Sequence, residues 1–268
     1  MQRLGIINYL GAIINFTGKT LTIAELEARK LHHDFTELLT RAVQPALWLL
    51  IFGEVLAQVR AIPTGNLPYI DFMTPGILAQ SVLFIAIFYG IAIIWERDLG
   101  IVHKFLATPT PRSALVLGKA LSAGERGLAQ AAIVYVLALA LGVSLSWNIV
   151  SLVGVVVVII LGSALFSTFS LIIACLVKTR ERFMGIGQIL TMPLFFASNA
   201  IYPLSIMPSW LLVVSQINPL TYQVDALRAL MLVNGPTVYG VSFDVLFLLV
   251  ATAINVAIAA KLYPRVVI

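Results

Sequence analysis

The chain has 268 residues, 60% of them apolar and 11% charged, with a formal net charge of +5. Ordinary soluble domains carry about 45–50% apolar and about 25% charged residues, so a soluble enzyme, a disordered chain and a nucleic-acid binder are excluded. A mean hydropathy of +1.00 places the chain in a bilayer.

Residues 4–16 are apolar but too short to cross, and no small-residue cleavage site follows them, only Phe16-Thr17-Gly18-Lys19. Thr22-Ile23-Ala24-Glu25 is a capping-box pattern that opens a helix. Ile23, Leu26, Leu31, Phe35, Leu38 and Leu39 then recur with roughly helical period among Glu27, Arg29, Lys30, Asp34 and Glu37. The pattern predicts an amphipathic helix over 22–40, lying at the cytoplasmic interface and feeding the first span.

A crossing helix needs about 20 apolar residues at 1.5 Å each. Six runs qualify: 43–61, which holds Glu54; 76–95; 120–143, with Glu125 and Arg126 near its start; 149–177; 183–203, interrupted by Pro193; and 241–262. The fold class is therefore all-α and polytopic. It divides into a segment over 1–41, a six-span domain over 42–262 and a tail over 263–268.

Between spans two and three lies the most charged stretch, Glu96 to Arg112. Asp98 caps a short helix there and Pro109 stops it, because the residue before proline avoids helical angles. Ile101, Val102, Phe105 and Leu106 form one stripe, with His103 and Lys104 facing elsewhere. The segment 204–240 is rich in proline yet apolar, with Trp210 to Val214 and Leu227 to Val233 too short to cross. It predicts two short helices dipping into the outer leaflet, where irregular backbone must be buried in protein or line a wet cavity.

Of the 17 Lys and Arg, all but Arg60 and Arg228 fall on one side of this arrangement. Loop cations mark the cytoplasmic side, so both termini are expected in the cytoplasm.

Single residues allow competing roles. Glu54, well inside a span, either faces a cavity or reaches Arg60 near the outer end. Trp48, Phe52, Phe84, Phe88, Tyr89 and Trp95 either line a path for an amphiphile or pack and anchor the spans. Glu125 and Arg126 are placed to pair with Arg180, Glu181 or Arg182. Asp225 and Arg228, three apart, form a local ion pair or an outer gate. His32 and His33 point about 100° apart on a helix and do not share a metal; with His103 and the lone Cys175 they give no metal site. Gly18-Lys19-Thr20 lacks the glycine that a phosphate-binding loop needs at position 13. The Asn15-Phe16-Thr17 sequon lies on the cytoplasmic side.

Three blocks together resemble the membrane subunit of type-2 ATP-binding-cassette exporters, the drug-resistance, nodulation-factor and polysaccharide or lipid exporter permeases. The first is Arg41-Ala42-Val43-Gln44-Pro45 through Trp48 to Gly53. The second runs from Trp95-Glu96-Arg97-Asp98-Leu99-Gly100 through Phe105-Leu106 to Pro109 and Arg112. The third, the most specific, is Ser198-Asn199-Ala200-Ile201-Tyr202-Pro203, then Pro208-Ser209-Trp210, Asn218-Pro219-Leu220-Thr221-Tyr222 and Asp225-Ala226-Leu227-Arg228. The resemblance covers about 22–262. Residues 1–19 have no counterpart, and Asn199 and Tyr202 stand where many relatives carry Gly and Phe.

The resemblance implies half of a membrane pore. Two copies, or this chain and a similar one, would pair in a prokaryotic inner membrane. Each would dock a separate ATPase, which holds the ATP and Mg. The coupling helix would be 96–108, with Glu96, Arg97, Asp98, Gly100, Ile101, His103, Lys104, Phe105, Leu106 and Pro109, its apolar stripe seating it in the partner and its charges setting register. The helix at 22–40 would connect to the same partner. Trp48, Glu54, Phe84, Phe88 and Tyr89 would lie along the substrate path. Asn199, Tyr202, Pro203, Trp210, Asn218, Tyr222, Asp225 and Arg228 would form the outer gate. The cargo would be an amphiphile, a lipid-like molecule, a drug or a glycan, and this chain would carry no catalytic residue. The competing class is a secondary transporter or channel, which requires inverted repeats with broken midplane helices; the two halves show no such similarity. A membrane-embedded enzyme would need His, Asp, Ser or Cys clustered at one face.

Overall fold

The computed structural model describes residues 16–26, 35–59, 62–65, 67–108, 110–177 and 179–266. Helix α1 covers 16–26. Next come α2 (Phe35–Leu47), a π-helical stretch (Trp48–Gly53) and α3 (Glu54–Val59) in one run. Then follow α4 (Tyr69–Tyr89), α5 (Ile91–Asp98), α6 (Ile101–Ala107), α7 (Arg112–Ala140), α8 (Ile149–Leu176) and α9 (Arg180–Phe196). The order closes with α10 (Ser209–Ile217), α11 (Pro219–Met231) and α12 (Val241–Leu262). Among the described residues the only β pairing is an isolated bridge between Leu145 and Leu232.

Four stretches are long and apolar enough to cross a membrane: Ala42–Val59, Tyr69–Asp98, Ile149–Leu176 and Val241–Val266. They match the first, second, fourth and sixth expected spans. The other two fall on α7 and α9. α7 has 29 residues, but its first half carries Lys119, Glu125 and Arg126 among small residues. α9 has 17 residues and opens on Arg180-Glu181-Arg182.

The helix starts have local causes. Asn148 accepts from Val150 N at 3.0 Å and opens α8, Thr179 accepts from Arg182 N at 3.4 Å and opens α9, and Asn218 accepts from Leu220 N at 3.0 Å and opens α11. The capping box expected at Thr22 does not open a helix. Residue 22 lies inside α1, and its hydroxyl donates back to Gly18 O at 2.9 Å. A helix already running has satisfied the N–H groups a cap would serve, so the hydroxyl turns to the preceding turn. Residues 27–34, over which the amphipathic pattern continues, lie outside the described residues, as do 1–15. α1 is seated on α7: Thr20 and Ala24 are buried, and a Cβ on Gly118 would stand 2.6 Å from the Ile23 side chain.

In the first crossing run, Pro45 withholds an N–H from the helical ladder, and just beyond it the ladder widens to π spacing. α4 is buried along nearly its whole length, and α8 packs against α4, α7, α11 and α12. The apolar residues form two cores. One, with Met73, Ile77, Phe166, Phe195, Leu227 and Met231, serves the end that carries α10 and α11, here the turn end. The other, with Ile93, Val102, Leu115, Phe183 and Tyr263, serves the opposite end, where α5 bends into α6, here the elbow end. At Gly90, between α4 and α5, a Cβ would come within 1.9 Å of Ser170 Oγ, so only glycine lets α8 approach this closely. At the turn end, Ser146 N donates to Met231 O at 2.8 Å and Val233 N to Ser144 O at 2.9 Å, stitching the α7–α8 loop to the end of α11. Asp71 of α4 accepts from Ser144 N at 3.2 Å beside them.

Candidate functional site

The expected site residues fall in three places: the elbow, the flanks of α4 and α9, and the turn. At the elbow, α5 closes on Leu99 and the chain reverses at Gly100, whose φ of +71° favours glycine. Gly100, not Asp98, precedes α6, and no side chain caps it. The Asp98 carboxylate is engaged elsewhere. It accepts from Arg97 Nε at 3.1 Å and Nη2 at 3.0 Å, and from Arg180 Nη2 at 2.7 Å. The Arg180 guanidinium also lies 3.6 Å over the Trp95 ring, a stack worth about 0.5–1 kcal/mol at exposed sites. Glu96 turns the other way, into the protein, where it accepts from Lys119 Nζ at 2.7 Å.

The stripe of α6 also faces inward. Val102 is fully buried, and Ile101, Phe105 and Leu106 are half-buried. His103, Lys104, Ala107 and Thr108 are exposed, and Leu99 beside them is 69% exposed. A seven-residue helix has too few internal hydrogen bonds to stand alone, so its apolar side is spent on holding it to the helical bundle. The outward face expected to be apolar is a polar one, led by His103 and Lys104. Thr108 closes α6 by donating to Phe105 O at 2.7 Å; Pro109 lies outside the described residues. Between α1 and α6 runs a groove of about 390 Å³ lined by Lys19, Thr22, Ile23, Phe105, Thr108 and Leu115.

Along the flanks, Trp48 packs edge-on to Phe195 at 5.5 Å and tilts against Phe52 at 4.6 Å. Phe84 and Phe88 stack at 6.1 Å, and Tyr89 carries Arg126 over its ring at 4.7 Å. Glu54 is exposed on the surface of the chain, with Ile51, Phe52 and Val55 exposed around it. Arg60, its expected neighbour, lies outside the described residues. Arg180, expected to meet Glu125, goes instead to Asp98 and Trp95.

At the turn, Arg228 meets Asn199, and the other expected residues engage different partners. Arg228 is 3% exposed. Its guanidinium lies 3.9 Å over the Phe72 ring and donates to Asn199 O at 2.7 Å and Phe72 O at 3.3 Å. Asp225 Oδ2 accepts from Thr237 Oγ1 and Val238 N at 2.8 Å and from Tyr239 N at 3.1 Å. The two side chains expected as a local ion pair thus spend their hydrogen bonds in different directions: a buried guanidinium takes main-chain carbonyls, and the carboxylate takes a loop. Asn218 has two tasks, capping α11 and donating its Nδ2 to Leu194 O at 2.7 Å. Tyr222 stacks on Phe247 at 3.9 Å and donates to Gln216 O at 2.6 Å. The Tyr202 hydroxyl donates to Phe196 O, Pro203 leads into the short turn Leu204–Ile206, and Trp210 is 68% exposed. In the 236–240 loop, burial first, then Tyr222 and the nearby carboxyls, pushes the Tyr239 phenol up.

Several participants were not singled out in sequence: Phe72, Lys119, Thr237, Tyr239 and Asp244, which is fully buried beside Asp225. Their partners are far along the chain, and no local spacing marks them. Among the described residues no three of His, Cys, Asp and Glu gather to hold a metal.

The profile of the ABC-2 type transporter family matches residues 19–232. The chain is similar to the putative transport permease ycf38 of Cyanophora paradoxa, 29% identical over 198 residues that span 72% of this chain and 67% of the relative. It is also similar to the daunorubicin resistance ABC transporter permease protein DrrB1 of Streptomyces coeruleorubidus, 26% identical over 74% of this chain and 70% of the relative. The inner membrane transport permease YadH of Escherichia coli K12 is 23% identical over 73% and 77%.

Proposed function

The chain belongs to the ABC-2 type transporter family and is a transport permease, and from that premise we propose that it forms half of an ATP-driven export pathway served by a separate ATPase subunit. The observation that carries this reading is the elbow. A docking element must be rigid and must present its recognition groups to a soluble partner. α6 is fastened by Val102, Phe105 and Leu106, and it offers His103, Lys104 and Leu99 on a rigid mount. Such charges give register and orientation to a docked partner. The groove between α1 and α6 widens the same surface.

The sidedness of Lys and Arg supports an elbow and termini in the cytoplasm and a turn end outside, in an inner membrane. With α7 and α9 counted, the chain crosses six times, and α10 and α11 dip from the outer face. A carboxylate facing lipid is costly, so the exposed Glu54 supports pairing of this face with a second permease across a shared pathway. The assembly is then two permeases and two ATPases, with ATP and Mg on the latter. The half-buried Trp48, Phe84, Phe88 and Tyr89 suit an amphiphilic, lipid-like, drug or glycan cargo, and one relative is named for resistance to a drug.

Intact-complex mass analysis of the permease drawn from its native membrane tests the proposal. Two permease and two ATPase chains are expected. A permease recovered without any ATPase refutes it.

A further inference from the structure

Helix α9 is attached to the bundle along one face, where Ile186, Leu190 and Leu194 flank a buried row, and is pinned at both ends. Its buried residues are Phe183, Gly187, Thr191 and Phe195, each four after the last. That spacing makes a single stripe, and the Thr191 hydroxyl turns back to Gly187 O within the helix. The helix runs about 26 Å at 1.5 Å per residue, with Pro193 only in its last turn.

Polar joints close both ends. At the elbow, Arg180 stacks on Trp95 at 3.6 Å and bonds Asp98 at 2.7 Å. At the turn, Leu194 O accepts from Asn218 Nδ2 at 2.7 Å, and Asn218 is also the cap of α11. A displacement of the elbow therefore reaches the cap of α11 through one helix.

We infer that α9 is the rod that carries movement of the α5–α6 elbow to the α10–α11 turn, and that Arg180 is the positioning residue that engages it. The inference rests on the proposed function, in which the ATPase acts on the elbow. Arginine suits the joint because its planar fork bonds a carboxylate while lying on an indole; lysine keeps the charge and loses that geometry. Asp98 retains Arg97 when Arg180 is removed, so the elbow itself is not left with a bare carboxylate.

The test uses the permease–ATPase complex in nanodiscs, with Cys175→Ser and a reporter cysteine at the exposed Ile206 of the turn. The rate of labelling by an impermeant maleimide is compared with and without ATP and vanadate, and ATPase recovery is measured on the same samples. In the parent, ATP changes the rate at 206. Arg180→Ala shrinks that change at least about fivefold, the effect of about 1 kcal/mol, while still recovering the ATPase. Arg180→Lys falls between. If Arg180→Ala also loses the ATPase, the comparison is read on Arg180→Lys. An undiminished ATP response in the variant, or no response at 206 in the parent, overturns the inference and leaves the proposed function standing. A parent that recovers no ATPase overturns the proposed function, and the inference with it.

Discussion

The Lys119 ammonium stands 2.7 Å from Glu96 Oε2, and the two side chains are only 9% and 7% exposed. One belongs to α7 and the other to the last turn of α5, so the pair fixes the elbow to the body of the permease. Burying two charges is costly, and their attraction offsets that cost only while both are present. Lys119→Met is expected to destabilise the chain by about 3–5 kcal/mol, as breaking a buried pair does, seen as a lower thermal midpoint in detergent. Adding Glu96→Leu should recover most of the loss. A double variant no better than the single one would place the stability elsewhere.

On the proposed function, the elbow separates docking from folding. Lys104→Glu and His103→Glu alter exposed groups, so the thermal midpoint should hold while ATPase recovery falls by about tenfold, the effect of about 1.4 kcal/mol. Phe105→Asp places a charge in the half-buried stripe and should lower the midpoint as well. Equal ATPase recovery in parent and Lys104→Glu would move docking off this face.

Arg228 holds two chain segments at once, through Phe72 O on α4 and Asn199 O on the α9–α10 connection. Arg228→Met keeps bulk but strands the buried Asn199 O, a loss of about 1–3 kcal/mol, while Phe72 O keeps its partner within α4. Arg228→Lys should lose less, since an ammonium still donates. Chemical or thermal unfolding of the two variants measures the difference.

Asp225 anchors the 236–240 loop through three donors converging on one oxygen. Asp225→Ala should speed amide exchange at Val238 and Tyr239 by at least about tenfold, because local opening is governed by the bonds that hold a segment shut. Exchange in the α7–α8 loop, held by the Ser144 and Ser146 pairs, should stay as it was. Unchanged exchange at 238 and 239 would show another anchor.

The long apolar helices were legible in sequence. The expected spans at 149–177 and 241–262 meet α8 and α12 within one residue, since hydropathy over such lengths admits no other element. Position along the chain was legible at the elbow; direction was not. The stripe of Ile101, Val102, Phe105 and Leu106 shows that α6 has two faces, but either could meet the protein, and burial chose the apolar one. Short polar signals were the least secure. Thr22 had the spacing of a cap but sits inside a running helix, and Asp98 had the identity of a cap but is claimed by Arg97 and Arg180. Asp225 and Arg228 had the spacing of a pair, yet carbonyls of α4 and the α9–α10 connection outcompeted the neighbour. Partners 82 residues apart, as Arg180 and Asp98 are, leave no period to read.

The stitch between 144–146 and 231–233 also sets an order of events in biogenesis. Ser146 N and Ser144 O find their partners only when Met231 and Val233 have been synthesised and delivered to the same face. The α7–α8 hairpin can form early, but its tip lacks these partners until α11 arrives. The last helix then follows directly, only eight residues past Val233, so sealing of that rim and entry of α12 belong to one late step.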